Sequence, residues 1–288
     1  MRNRHNRLHA VLPIILFLVA VIGSVFLLSY LHDYKETLDI IHSVKIDEDK
    51  IREFHISEEV ISYYLSQSGG VEHGMEELTL YMMRFQYEID SLAQIKEHPL
   101  PVQCKKKLKN LEEYEKLVKF YTCMLTRLKY FPVPNDLIGK QKVSYDNSWG
   151  GRRTYGGERK HEGTDLMTTN NVRGYFPILS IGEGVVENVG WLKLGGYRIG
   201  IRGNNGCYYY YAHLDSYSEG IKVGDKVRAG QLLGFMGDTG YSDKEGTTGN
   251  FPVHLHLGMY VDFEGKEISV NPYFILKYLE QHKLSYAF

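Results

Sequence analysis

Cysteine is scarce in this chain. There are three, Cys104, Cys123 and Cys207, and none sits in a C-x-x-C pair. That spacing argues against a thiolate zinc site, and the odd count argues against a disulfide framework, although Cys104 and Cys123 could still pair. Net charge is nearly absent as well, at −1. No excess of basic residues points to a nucleic-acid partner. Tryptophan occurs twice while tyrosine occurs 23 times, a composition that suits strands and ligand-facing surfaces without naming a function. One segment lacks charge altogether. Val11 to Leu31 carries none, and its apolar run of about 20 residues is long enough to cross a bilayer as a helix.

Arg2, Arg4 and Arg7 precede that run, whereas Asp33, Glu36 and Asp39 follow it. The positive-inside rule then keeps residues 1–10 in the cytoplasm and sends everything after Leu31 outside. A cleaved signal peptide is the competing reading. The run is long for a signal core, and Leu28 to His32 offers no small-x-small cleavage site. The expectation is a single-pass anchor over residues 11–31, retained in the cell membrane.

Residues 32–131 read as a helical spacer or docking region. Met75, Leu78, Met82, Phe85, Ile89 and Leu92 recur at spacings of three and four, as do Leu108, Leu111, Tyr114, Leu117, Tyr121, Leu125 and Leu128. Ser57 followed by Glu58 and Glu59 marks a helix start, Gly69-Gly70 a stop, and Pro99 with Pro101 separates the last two helices. Such stripes are core or self-packing surfaces, so self-association or a protein partner through residues 57–130 is expected. The pattern is too irregular for a long coiled coil.

After Phe131-Pro132-Val133-Pro134 the texture changes. GVVENVGW, YRIGIRG, CYYYYAHL and VHLHLGMYV read as strands, and GYSDKEGTTGN as a loop. Residues 132–288 are therefore expected to be a mainly β, antiparallel domain, large enough to bury its own core.

Within it, alternation on a strand puts His254 and His256 on one face, about 6.6 Å apart at Cα. That distance suits two imidazoles converging on one small object. HEGTD offers His161 and Asp165, and YYYYAHLD offers His213. On a straight strand the HEGTD pair would stand about 13 Å apart. The segment must bend for both to reach one metal, and Gly163 allows it to. Alone, each segment is a weak signal. Together they supply His, Asp and His as metal ligands with two more histidines to spare. A zinc with three protein ligands and one open position is a catalytic arrangement. The other eight histidines lie outside the strand-rich motifs.

SWGGRRTYGGERKHEGTDL, YYYYAHL, VGDKVRAGQLLGFMGDTGYS and VHLHLGM, in this order from about Tyr145 to Pro272, resemble the successive motifs of the M23 family. These are zinc metallopeptidases of the LytM or lysostaphin type. The resemblance implies an antiparallel β core with loops walling a narrow groove. It implies one zinc per chain, held by His161, Asp165 and His256. His254 and His213 would assist catalysis, their division of labour left open. It implies hydrolysis of peptide bonds in bacterial peptidoglycan. The stretch GYSDKEGTTGNFPVHLH is longer than the family's usual link and is expected to reshape the groove.

Three alternatives compete. Degenerate relatives serve as scaffolds or activators in wall or sporulation complexes, but they usually lack site residues that are all present here. VKVGDKVRAGQLLGFMG has the turn pattern of a lipoyl- or biotinyl-carrier domain, yet no lysine stands at a hairpin tip. A purely structural metal leaves two histidines without a role.

Overall fold

The computed structural model describes residues 2–155 and 157–288, and of residues 2–11 only the helical backbone. The expected cytoplasmic N-terminus, residues 1–10 with Arg2, Arg4 and Arg7, lies outside the described side chains, as does Gly156. Helix α1 spans Arg2–Ser43. From Leu12 to Tyr34 its side chains are exposed, and Leu12–Ser43 is long and apolar enough to cross a membrane by length and composition. Its last two turns are different. Thr37 and Ile40 are buried, and Glu36 accepts from Arg84 at 2.6 Å. The apolar segment thus emerges from a helix end clamped to the rest of the chain.

Six further helices follow before the β domain: α2 (Glu48–Glu53), α3 (Glu58–Leu65), α4 (Gly70–Arg84), α5 (Leu92–Glu97), α6 (Val102–Lys109) and α7 (Glu112–Leu125). Two expectations are corrected here. Gly69-Gly70 does not stop a helix; Gly69 caps the start of α4, while α3 has already ended at Leu65. The first apolar stripe is not one helix either. Gln86 and Tyr87 take φ of 52° and 72° and end α4, and Ile89 belongs to a short strand, Glu88–Ile89, parallel to His55–Ile56. Pro99 and Pro101 separate α5 from α6, not the last two helices. Ser57 does cap α3.

The stripe residues face inward. Met75, Leu78, Met82, Leu108, Leu117 and Tyr121 have no exposed surface, and they belong to a core continuous with that of the β domain. Phe120 of α7 meets Phe263 edge-on at 5.8 Å. Arg52 of α2 donates to the Ser269 carbonyl at 2.9 Å and to its hydroxyl at 3.0 Å, while Asn271 N donates to Arg52 O at 2.8 Å. The helices are therefore packed against the sheet, so much of what reads as docking surface is used within the chain.

The β domain is built on one ten-stranded antiparallel sheet. Its strands are β1 (Val143–Ser144), β2 (Thr164–Thr168), β3 (Pro177–Leu179), β4 (Gly184–Leu192), β5 (Gly196–Gly203), β6 (Tyr208–Tyr217), β7 (Lys226–Val227), β8 (Leu232–Met236), β9 (His254–Phe263) and β10 (Lys266–Val270). The main path runs β7-β4-β5-β6-β9-β2-β1; β8 joins β6 to β3, and β10 pairs with β9. Helix α8 (Tyr273–Leu279) packs against α3, and a short strand after it, Ser285–Tyr286, runs parallel to Asn135–Asp136. Alternation gives each strand two faces. Leu255, Leu257 and Met259 of β9, with Tyr209 and Tyr211 of β6, are fully buried in the core. The opposite parity lines a groove.

Candidate active site

The groove encloses about 590 Å³. Its floor is the polar parity of the central strands: His254, His256 and Tyr260 from β9, Tyr208 and Tyr210 from β6, and Asp165 from β2. Register does the positioning. His256 pairs with Asp165 on one side and with Ala212 on the other. His161 sits just before β2, beside them.

Three donor atoms converge. His161 Nε2 lies 3.0 Å from Asp165 Oδ1 and 3.0 Å from His256 Nδ1, and His256 Nδ1 lies 2.9 Å from Asp165 Oδ1. Tetrahedral zinc with bonds of about 2.0–2.1 Å places its ligands roughly 3.3 Å apart, so this set fits the ion. The tautomers fit too. His161 Nδ1 faces the Ser148 carbonyl at 3.0 Å, which takes the proton there and leaves Nε2 with its lone pair. Burial alone would raise the Asp165 carboxyl, but close contact with the His161 and His256 imidazoles outweighs it and holds the group well below the ordinary carboxylate range. Burial pushes His256 below the usual imidazole value, favouring the neutral form a metal needs.

Gly163 has a different role from the one expected. Its φ does not lie in the left-handed region. A Cβ there would stand 2.5 Å from the Leu257 carbonyl and 2.6 Å from His256 Cε1. The position is glycine because the His256 ring passes over its backbone.

His254 and His213 sit alongside, their rings 4.7 Å apart. His254 Nδ1 is held by the Pro252 carbonyl at 2.7 Å and His213 Nδ1 by the Thr239 carbonyl at 2.8 Å. Each ring therefore has its Nε2 free. Burial lowers both below the ordinary imidazole value, which keeps them neutral and able to accept a proton. His213 does not end its strand. The register of β5 against β6 jumps from Tyr197↔Leu214 to Ile199↔Tyr211, a bulge that opposes Ala212 and His213 to Arg198 alone. His213 takes φ of 64° there, a conformation that costs energy in a non-glycine residue and clusters at functional sites. The bulge turns His213 out of the core parity and towards His254.

The long loop before β9 does form a wall of the groove. Phe251 packs on His213 at 4.6 Å, Tyr241 packs on Phe251 at 4.7 Å, and Tyr155 stacks on Tyr241 at 4.3 Å.

Several site residues carry no signal as motifs. Arg153 Nη2 donates to Asp165 Oδ2 at 2.6 Å, opposite the oxygen shared by the imidazoles. Arg159 and Arg198 also line the groove. The parity of the YYYY run was a clue to Tyr208 and Tyr210; Arg153 and Arg159 lie in the stretch that precedes His161, and Arg198 in the YRIGIRG strand, but nothing in those segments shows that their side chains face one groove.

The profile of peptidase family M23 matches residues 159–272. A solved LytM-type structure from Ruminococcus gnavus, described as that of a candidate glycyl-glycine endopeptidase, is 37% identical. It superposes with a TM-score of 0.68, covering 88% of this chain and 98% of that one. The chain belongs to peptidase family M23. The coverage exceeds what residues 132–288 could supply alone, so the likeness extends into the helical region. The L-Ala–D-Glu endopeptidase of Bacillus subtilis is 41% identical over 173 residues, 60% of this chain and 50% of that protein. Lysostaphin from Staphylococcus staphylolyticus is 35% identical over 103 residues, 35% of this chain and 19% of that protein. The chain thus spans half or less of the length of these curated M23 relatives.

Proposed function

We propose that this chain is a membrane-anchored zinc metalloendopeptidase that hydrolyses a peptide bond in bacterial peptidoglycan. One observation carries the reading. Two imidazole nitrogens and a carboxylate oxygen lie within 3.0 Å of one another, in a groove that also presents two neutral histidines with free Nε2 atoms. Family membership and the peptidase names of the relatives support it. The apolar helix beginning at Leu12 supports a membrane anchor, with the basic residues before it on the cytoplasmic side and the groove outside.

In this reading His161, Asp165 and His256 hold the zinc. When bound, the ion supplies Lewis acidity and makes a water acidic enough to attack near neutral pH. His254 is the base that removes the proton from the attacking water. His213, whose neutral Nε2 carries no proton of its own, would take that proton from His254, steady the tetrahedral species as an imidazolium through Nε2–H, and give the proton to the leaving amine as the C–N bond breaks. The Pro252 and Thr239 carbonyls orient both rings so that protons move only at Nε2. Arg153 holds Asp165 by its second oxygen and keeps the first aimed at the cluster. Tyr241 and Phe251 exclude bulk water from one side.

The names of two relatives specify different bonds, L-Ala–D-Glu and glycyl-glycine. A digest tests the function. The 288-residue chain in detergent, loaded with zinc, is incubated with purified peptidoglycan of several cross-link types, and the fragments are read by mass spectrometry. New peptide ends that vanish with His256→Ala are expected. A folded, zinc-loaded chain that cleaves none of the walls overturns the reading in favour of a scaffold.

A further inference from the structure

Arg198 stands on β5 opposite the bulge at Ala212 and His213, and Ala212 pairs with His256. Two strand spacings, about 10 Å at Cα, therefore separate Arg198 from a proposed zinc ligand. Its side chain points into the same groove. So does that of Arg159, from the short strand Arg159–Lys160. Both are half-buried, and among the described residues neither has a carboxylate within 4 Å. The groove's acids are mostly engaged elsewhere: Asp165 with Arg153 at 2.6 Å and Glu267 with Arg202 at 2.8 Å. Glu162 is the exception, and it is exposed. Arg198 Nη1 and Arg159 Nε are both out of contact with solvent and without an acceptor. A partly desolvated guanidinium with no counter-charge is costly, and two in one groove imply that a counter-charge arrives with the substrate.

The surrounding residues support this. Tyr208 and Tyr210 stand beside the arginines, and the guanidinium charges of both Arg198 and Arg159 act on the Tyr210 phenol. Tyr208 OH is held by Asn188 Nδ2 at 3.1 Å. This end of the groove is lined by donors.

We propose that Arg198 and Arg159 form an anion subsite that holds a free carboxylate on a substrate residue within two positions of the scissile bond. The inference rests on the peptidase reading above and names its substrate class: an acidic peptide, such as one containing a γ-linked glutamate whose α-carboxylate is free. A glycyl-glycine bridge carries no such group and leaves both arginines unpaired. Guanidinium and carboxylate match as a two-pronged, charge-assisted pair, so the acid is preferred over its neutral amide.

The test compares two peptides that differ only in that group: L-Ala–γ-D-Glu–L-Lys–D-Ala and its α-carboxamide counterpart. The zinc-loaded 288-residue chain is expected to favour the acid in kcat/KM by about tenfold to a hundredfold, the range of a charged hydrogen-bonded contact. In Arg198→Gln and Arg159→Gln the acid-to-amide ratio falls towards one. Thermal melting and zinc content confirm that each variant is folded and loaded. A wild-type ratio near one, or a ratio kept in both variants, overturns the subsite while the peptidase reading stands. If neither peptide is cut, calorimetric binding of the two peptides decides. Tighter binding of the acid, lost in Arg198→Gln, upholds the subsite although the peptidase reading has failed; equal binding overturns both.

Discussion

His256 and Asp165 face each other across the β9–β2 ladder, with Nδ1 and Oδ1 2.9 Å apart. Two strands distant in sequence thus deliver two donor atoms to one point, and His161 supplies a third. His254, two residues along the same strand face, is 3.8 Å from the same oxygen but engages the Pro252 carbonyl.

That difference separates two variants. His256→Ala is expected to lose zinc and activity together. His254→Ala should keep its zinc and lose activity by about a hundredfold to ten-thousandfold, the range of a proton-transfer group. Metal analysis of the purified proteins beside a peptide-cleavage assay checks both. Wild-type turnover by His254→Ala would remove it from the mechanism.

Among the described residues, the hydrogen bond that ties Arg153 to the proposed ligands is the one to Asp165 Oδ2. Arg153→Gln should weaken zinc affinity or activity by about tenfold to a hundredfold, as is typical for a partner behind a ligand. Competition with a zinc-chelating dye measures the first. An unchanged affinity and an unchanged rate would leave the ion pair without a role.

Gly163→Ala places a methyl against the His256 ring and the Leu257 carbonyl. The ring or the strand must shift, and zinc occupancy should fall well below that of wild type at equal metal. Zinc titration followed by circular dichroism distinguishes this local effect from unfolding. Full occupancy would mean that the backbone yields more readily than the contacts suggest.

Arg52 ties α2 to β10 through two hydrogen bonds to Ser269. Arg52→Ala leaves those acceptors without their charged donor and should destabilise the chain by about 1.5–3 kcal/mol. Denaturant unfolding of the full chain in detergent measures it. A change within about 0.5 kcal/mol, as for an ordinary surface position, would mean that the Arg52 side chain does not help to hold the helices to the sheet.

Local pattern was enough for much of this protein. A charge-free run from Val11 to Leu31 needs no partner to be recognised, since length and hydropathy are properties of a segment. Period-two alternation put His254 and His256 on one face, and glycine-punctuated β runs marked a mostly antiparallel domain after Pro134. The helical stripes were legible as apolar faces. Their breaks were not, because Gln86 and Tyr87 adopt positive φ for reasons set by packing: Tyr87 OH donates to Lys45 O at 2.9 Å, far back in the chain. Tertiary structure alone decided the rest. His213 reaches His254 only through a bulge, which depends on how β5 registers against β6. Gly163 is required by a ring from β9, and Arg153, Arg159 and Arg198 meet in the groove from separate elements. Sequence periodicity records what happens within a segment. Register between strands is a long-range choice, made by the core that both strands bury, and it is this choice that assembles the site.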